Sequence, residues 1–166
     1  MNAGLEDALT GIANRRSFEL SLAQRLEDGA RTRGTRTSLA VAMVDVDKFK
    51  SINDNYSHLV GDRVLKTLAG LMSACIRDRD VAARWAGDEF VILFDGVGVE
   101  TAEQVCSRIH EAIRAFDWQA IAPGLQVTVS VGLSAVAPED SVESVLSRSD
   151  ESMYSTKTLD DIARQT

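Results

Sequence analysis

Acidic side chains occur at two places where the sequence also predicts strand ends. Asp45 follows an unbroken apolar run of strand length, residues 39–44, and Asp47 comes two positions later. Asp88 and Glu89 lie in a short interval between two apolar runs, which is typical of a hairpin turn. If these strands are neighbours, the carboxylates of Asp45 and Asp88 meet. Two such carboxylates suit Mg²⁺, which completes its octahedron with waters and substrate phosphates.

Carboxylates at strand ends and in turns also have a simpler explanation. Asp and Glu are common there because they are solvated and form local hydrogen bonds, and for the Asp-x-Asp pair alone this explanation is the stronger one. The turn favours a metal site, because Gly87 is followed by two acids where a plain hairpin needs only one polar pair. Together the two segments predict a metal site.

Three further polar residues could extend this site. Lys50 offers an amine for phosphate, Asn53 an amide donor and acceptor, and Asp62 a carboxylate that can accept from guanine N1–H and its exocyclic amine. Each one alone is more often an ordinary surface residue. The net charge of −7 argues against phosphate-driven nucleic-acid binding. An anionic ligand therefore needs a metal ion or a few placed cations.

The bulk composition and the cysteines indicate one domain in a reducing compartment. A chain of 166 residues with 45% apolar composition can bury one substantial core. Cys75 and Cys106 fall on apolar helix stripes without CxxC spacing, so we expect buried free thiols. The first seven residues do not resemble a signal peptide, and no segment reaches the length of a membrane span. We expect a cytoplasmic domain without membrane contact.

The apolar periodicity predicts the elements that position these residues. Helices are expected over residues 14–26, 48–54, 64–76, 99–116 and 141–153, and strands over residues 39–44, 81–85, 90–94 and 125–133. Ser141 is expected to cap the last helix. The order contains two β–α–β connections around a hairpin, which indicates a ferredoxin-like α+β fold.

Five segments resemble motifs of the GGDEF-domain family of diguanylate cyclases. They are residues 7–16 (D-x-L-T-G-x-x-N-R-R), 45–62 (D-x-D-x-F-K-x-x-N-D, then H-x-x-G-D), 86–90 (AGDEF), 128–132 (T-x-S-x-G) and 149–157 (similar to A-D-x-A-M-Y-x-A-K). The match covers nearly the whole chain, so residues 1–166 are identified as one GGDEF domain, expected to be part of a longer protein. The resemblance implies a nucleotidyl-cyclase-type, mostly antiparallel sheet of about five strands covered by helices.

The resemblance also implies an activity and the residues that carry it. Two domains of a homodimer face each other, and each bound GTP attacks the α-phosphate of the other to give cyclic di-GMP and pyrophosphate. Mg²⁺ is the implied metal, with Mn²⁺ as an alternative. By position, the implied catalytic residues are Asp88, Glu89 and Lys50, the metal ligands are Asp45, the Val46 carbonyl and Asp88, and the substrate contacts are Phe49, Asn53, His58, Asp62 and Lys157.

A product-inhibition site and two departures from the family pattern complete the resemblance. Arg77 and Asp80 match the inhibitory R-x-x-D motif, where cyclic di-GMP binds, with Arg108 as a secondary contact; an exposed, charged helix end is the ordinary alternative. Ala86 replaces the first signature glycine and would be strained if the site needed a positive φ. Asp161 stands where the family has a phosphate-binding arginine. These departures favour the alternative of a weak or inactive domain that senses cyclic di-GMP or GTP.

Overall fold

The computed structural model describes the backbone of residues 4–31 and 38–165 and the side chains of residues 4–29 and 38–153. The helices are α1 (Arg15–Arg31), α2 (Phe49–Asn55), α3 (His58–Cys75), α4 (Val99–Ala115) and α5 (Val142–Gln165). The strands are β1 (Leu39–Val46), β2 (Val81–Ala86), β3 (Glu89–Asp95) and β4 (Val129–Ala135). Every predicted helix and strand is therefore present.

The four strands form one sheet in the order β2-β3-β1-β4, and all neighbouring strands are antiparallel. This order confirms the predicted ferredoxin-like α+β fold. The described part of the chain has four strands where about five were expected. Within the described residues α5 continues to Gln165, so no strand follows Lys157 there.

Helices cover both faces of the sheet. On one face α1 and α5 pack on the strands, with Phe18, Leu22 and Val145 buried between them. On the other face α3 and α4 pack on the sheet through residues such as Leu68 and Ile109. Because β1 lies between these two layers, its first six residues are all buried, which explains its unbroken apolar sequence.

The glycine of the T-x-S-x-G segment allows α5 to approach β4 closely. A Cβ at Gly132 would lie 2.2 Å from the Ser149 carbonyl oxygen and 2.3 Å from the Met153 amide nitrogen. These are backbone atoms of α5, so they have little freedom to move aside. The buried Ser149 hydroxyl donates to the Val145 carbonyl at 3.0 Å, which satisfies it inside this tight contact.

Side-chain caps fix where several helices begin. The Ser141 hydroxyl accepts from the Ser144 amide at 3.1 Å, as predicted for the start of α5. Ser57 caps α3 by accepting from the Val60 amide at 3.1 Å. The serine therefore has a stabilising role at this position.

Strand β4 begins later than the alternating pattern predicted. Residues 125–128 are irregular, although Leu125 and Val127 are buried. The first β4 residue, Val129, pairs with Val46, the last residue of β1. The ladder starts there because β1 offers no strand partner beyond Val46.

Both cysteines are free, as predicted. Cys106 is 7% exposed, and burial, with a smaller contribution from the Glu103 charge, raises the pKa of its thiol to about 12. Cys75 is half-buried. Among the described residues, no helix combines the length and apolar character that a membrane crossing requires.

Candidate active site

Three carboxylates meet where β1 ends beside the β2–β3 hairpin. Asp45 pairs with Glu89 across β1 and β3, and Asp88 lies in the adjoining turn. One carboxylate oxygen from each of Asp45, Asp88 and Glu89 lies within 4.8 Å of the others, and all three residues are half-buried. Strand register therefore produces the predicted proximity of Asp45 and Asp88. An oxygen-only donor set of this kind fits a hard divalent cation, which would offset the repulsion among the acids.

The signature turn, at the start of the AGDEF segment of residues 86–90, belongs to a bulged hairpin. Ala86 pairs with Glu89, so Gly87 and Asp88 form the turn, and the register shifts between Arg84 and Ala86. Bulges of this kind often lie next to active sites, where they redirect a side chain. The strain considered for Ala86 is absent, because Ala86 is exposed and neither it nor Gly87 has a positive φ.

Asp47 is a site residue whose contacts the sequence did not reveal. Its carboxylate accepts from the Thr128 hydroxyl at 2.7 Å and from the Ser130 hydroxyl at 2.6 Å. Its amide also donates to the Thr128 carbonyl at 2.9 Å. Asp47 thus ties the chain after β1 to β4, two residues from Asp45. The Asp-x-Asp and T-x-S motifs were each visible, but nothing in the sequence connected them.

The chain turns sharply between β1 and α2. Lys48 has φ +53° and ψ +38°, and it is the one non-glycine residue with positive φ in the described part of the chain. A left-handed conformation costs a residue with a Cβ about 1–2 kcal/mol. The turn carries the chain directly into α2, which bears Phe49, Lys50 and Asn53.

A cluster suited to base recognition forms where α2 meets the start of α3. A Cβ at Gly61 would lie 2.0 Å from Asn53 Oδ1 and 3.2 Å from Phe49 Cζ, so both side chains pack directly against this turn, beside Asp62. Asn53 Oδ1 is buried and has no hydrogen-bond partner among the described residues. An unsatisfied buried carbonyl is costly, and a ligand N–H would satisfy this oxygen only if the half-buried Asn53 side chain turned it outward.

The remaining predicted substrate contacts differ in how they are presented. Lys50 and His58 are exposed, on α2 and at the first residue of α3, and Asp62 is half-buried. Lys157 and Asp161 lie in α5, but their side chains fall outside the described residues. Their predicted relation to phosphate stays a prediction.

Arg77 and Asp80, the R-x-x-D pair, form hydrogen bonds with each other and with the end of β3. Asp80 is buried and accepts from the Arg77 and Asp95 amides, each at 2.9 Å. The Arg77 side chain is 49% exposed and donates to the Asp95 carbonyl at 2.6 Å and to Asp80 at 3.3 Å. Asp80 therefore orients Arg77, which is the accessible member of the pair. Arg108 is exposed on α4.

Comparisons with known proteins agree with this arrangement. A family model described as "Diguanylate cyclase, GGDEF domain" matches residues 5–160. The chain is 37% identical over 154 residues to diguanylate cyclase DgcP of Pseudomonas aeruginosa, covering 92% of this chain and 22% of that protein. It is 33% identical over 154 residues to diguanylate cyclase DgcZ of Escherichia coli K12, covering 91% of this chain and 49% of that protein. The chain thus spans between about a fifth and a half of these relatives.

A solved structure extends the comparison to the fold. The GGDEF domain of DgcB from Caulobacter crescentus, solved in complex with c-di-GMP, superposes with a TM-score of 0.86 at 25% sequence identity. The alignment covers 95% of this chain and 90% of that one. The likeness therefore includes the sheet, its covering helices and the signature hairpin.

Proposed function

Because the chain belongs to the GGDEF-domain family of diguanylate cyclases, we propose that it condenses two molecules of GTP into cyclic di-GMP and two of pyrophosphate. The observation that carries this proposal is the cluster of Asp45, Asp88 and Glu89, whose oxygens lie within 4.8 Å of one another. The GTP substrate and the two free thiols are consistent with a cytoplasmic location.

The proposed reaction joins two nucleotides held by two copies of the domain. The 3′-hydroxyl oxygen of each GTP forms a bond to the α-phosphorus of the other, and its proton is released. The bond from that phosphorus to the oxygen bridging to the β-phosphate breaks, and pyrophosphate leaves. Each copy holds one GTP, so turnover requires a homodimer with its two sites facing each other.

The acidic residues would hold the metal and the reacting hydroxyl. Asp45 and Asp88, with the Val46 carbonyl, would bind Mg²⁺ or Mn²⁺, which supplies charge neutralisation at the phosphates and a more acidic attacking hydroxyl. Glu89 lies within the same cluster, where its carboxylate can accept the proton of the 3′-hydroxyl. Lys50 and Lys157 would contact phosphate as point charges.

The cluster at the start of α3 would select guanine. The Asn53 amide would turn its buried, unsatisfied Oδ1 outward to accept an N–H from the base. Asp62 can accept from guanine N1–H and the exocyclic amine, whereas adenine N1 carries no proton. Phe49 packs beside Asn53, and the exposed His58 begins the same helix. ATP is therefore expected to be a poor substrate.

The test is product formation with a charge-removing variant. Purified protein is incubated with GTP and Mg²⁺, and cyclic di-GMP is quantified by chromatography and mass spectrometry. Asp88→Asn keeps the side-chain shape but removes a metal-binding charge, so we expect a loss of about 100-fold or more. Glu111→Gln, which alters an exposed acid of α4, serves as the matched control. Absence of product from wild-type protein at concentrations that favour dimers would refute the proposal.

Product inhibition through Arg77, Asp80 and Arg108 is the second part of the proposal. Its support is the half-exposed Arg77 guanidinium, which Asp80 orients. Calorimetric titration with cyclic di-GMP should show at least about tenfold weaker binding to Arg77→Ala than to wild type. Equal affinities would remove this site. Tight binding of cyclic di-GMP without any turnover would instead favour the alternative of a sensing domain.

A further inference from the structure

The segment before α1 forms a closed turn that the proposed function leaves without a role. In this entrance turn, defined here as residues 5–14, the Asp7 amide donates to the Ile12 carbonyl at 2.8 Å. The Asp7 carboxylate accepts from the Thr10 amide at 2.9 Å and from its hydroxyl at 2.6 Å. Gly11 has φ +76°, a conformation that favours glycine. The D-x-L-T-G residues thus fold around the Asp7 carboxylate.

Backbone and side-chain hydrogen bonds join the entrance turn to β2, next to the AGDEF segment of residues 86–90. The Arg84 amide donates to the Ala13 carbonyl at 2.9 Å, and Ala13 forms a bridge with Ala83. The Arg84 guanidinium contacts both carboxylate oxygens of Asp7, at 3.3 and 3.4 Å. Burial acts to raise the pKa of Asp7, but the Thr10 hydrogen bonds and the Arg84 charge outweigh it and hold that pKa below its usual range.

Arg84 also reaches forward to the signature turn. Its Nε and Nη2 atoms donate to the Gly87 carbonyl at 3.2 and 2.9 Å. The next carbonyl, that of Asp88, accepts from the Val46 amide at 3.0 Å. Two consecutive carbonyls, one on each side of the Asp88 Cα, are therefore held by two different elements. These bonds fix the backbone from which the Asp88 carboxylate projects.

Side-chain packing does not restrict the backbone at Gly87. Nothing lies within 4 Å of a Cβ built on Gly87, and glycine has the greatest backbone freedom of all residues. Without the Arg84 bonds, the Gly87 carbonyl loses this anchor, and the turn keeps the Ala86–Glu89 strand pairing and the bond from Val46. The Arg84 side chain is 20% exposed and that of Asp7 18%, so both are partly shielded from water.

We propose that Arg84 is a positioning residue for the metal site, and that Asp7 orients it, so that the entrance turn sets the geometry of Asp88 relative to Asp45 and Glu89. This inference rests on the proposed function. Removing the Arg84 contacts frees the Gly87 carbonyl and loosens Asp88, although no metal ligand is altered. Loss of a group that orients a metal ligand commonly costs about 10- to 100-fold in metal affinity or activity.

Arg148 provides a matched control for the experiment. Like Arg84, it donates both to a backbone carbonyl, that of Ala135 at 2.7 Å, and to a carboxylate, that of Asp140. Ala135 pairs with Ala40, at the opposite end of β1 from Asp45. The variants Arg84→Met and Arg148→Met therefore lose the same kinds of bond. Arg84→Met loses them near the carboxylate cluster, and Arg148→Met loses them far from it.

The test measures metal affinity, turnover and stability separately. Mn²⁺ binding is followed by electron paramagnetic resonance with a non-hydrolysable GTP analogue present, kcat and KM for GTP are measured, and urea unfolding gives stability. We expect Arg84→Met to lose about 10- to 100-fold in Mn²⁺ affinity and kcat, with a smaller change in KM. Asp7→Asn should lower Mn²⁺ affinity and kcat as well, but by a smaller factor, because Arg84 keeps its bonds to Gly87. Arg148→Met should lose stability only.

The outcomes separate this inference from the proposed function. If folded Arg84→Met binds Mn²⁺ and turns over GTP as well as Arg148→Met does, the positioning role is wrong. If wild type binds Mn²⁺ but forms no cyclic di-GMP, the proposed function fails while the Mn²⁺ comparison still decides the inference. If Arg84→Met does not fold, Asp7→Asn decides, because wild-type Mn²⁺ affinity in that variant overturns the proposal.

Discussion

One added methyl group has different consequences at two positions of the candidate site. At position 86 the chain already carries it, and the exposed Ala86 side chain extends from a strand without positive φ. At Gly61 the same group would lie 2.0 Å from Asn53 Oδ1 and 3.1 Å from Asn53 Cγ. The departure at residue 86 is therefore tolerated by the backbone, whereas a methyl group at residue 61 would displace the Asn53 side chain.

Gly61→Ala is expected to weaken nucleotide binding without unfolding the protein. The added Cβ must push the Asn53 amide aside, and that amide is the end of a movable side chain, so the fold can accommodate it. Losing one hydrogen bond to the base, worth about 1.4 kcal/mol, lowers affinity about tenfold. Calorimetry with Mg²⁺ and a non-hydrolysable GTP analogue measures this change.

Gly70→Ala is the control on the same helix. Nothing lies within 4 Å of a Cβ at Gly70, so the nucleotide affinity should equal that of wild type. Alanine in a helix interior should raise the free energy of unfolding by about 0.5–1 kcal/mol. If Gly61→Ala binds the analogue as tightly as Gly70→Ala does, Asn53 has no part in recognising the base.

Residues of the site differ in how far the sequence could predict them. Asp45 and Asp88 could be paired because each marks the end of an apolar run, and strand pairing then brings them together. Asp47 could not be assigned its contacts, because Thr128 lies 81 positions away and only the register of β1 against β4 makes them neighbours. The contacts of Arg84 could not be predicted either, because its guanidinium contacts Asp7, 77 positions earlier in the chain, and Gly87, 3 positions later.

At the scale of elements, one carboxylate links the turn before α5 to the first turns of that helix. Asp140 accepts from the Ala137 amide at 2.7 Å, from the Ser144 hydroxyl at 2.8 Å and from the Arg148 guanidinium. Its side chain is 6% exposed. Burial acts to raise the pKa of Asp140, but these hydrogen bonds and the Arg148 charge outweigh it and lower that pKa. The ionised form therefore stabilises the turn between β4 and α5.

The stability of the protein should fall with acid in a way that depends on Asp140. A carboxyl whose pKa is lower in the folded state stabilises the fold fully above its unfolded value, near 4, and loses this contribution as pH falls through the folded value. Urea unfolding from about pH 5 to about pH 3 should therefore show a smaller loss of stability in Asp140→Asn than in wild type. Glu111→Gln, at an exposed ion pair, should follow wild type. Parallel curves for wild type and Asp140→Asn would contradict this role.

Elements were predictable where apolar periodicity alone decides them. The helices and strands around the core follow from that pattern, and Ser141 marked the start of α5. The pattern could not locate the start of β4, because Leu125 and Val127 are buried without pairing to β1. It also could not reveal the close approach of α5 at Gly132, which depends on backbone atoms of another element.

At the scale of the whole molecule, the order of the elements determines the fold, whereas the net charge affects the association of two copies. The order of elements along the chain predicted the ferredoxin-like fold, and the sheet order confirms it. The net charge of −7 does not influence the fold, but it acts on association, since like-charged molecules repel. Two copies must approach each other for the proposed reaction, and each also carries a cluster of three acids.

Dimerisation of the nucleotide-bound protein is therefore expected to strengthen as ionic strength rises. The Debye length falls from about 30 Å at about 10 mM salt to about 8 Å at about 150 mM, so repulsion between two copies of net charge −7 is screened over most of the contact. Sedimentation at saturating Mg²⁺ and non-hydrolysable GTP analogue should show a larger dimer fraction at the higher salt, and a neutral osmolyte should have no such effect. A smaller dimer fraction at higher salt would mean that complementary charges at the interface outweigh the net repulsion, because screening weakens attraction as well.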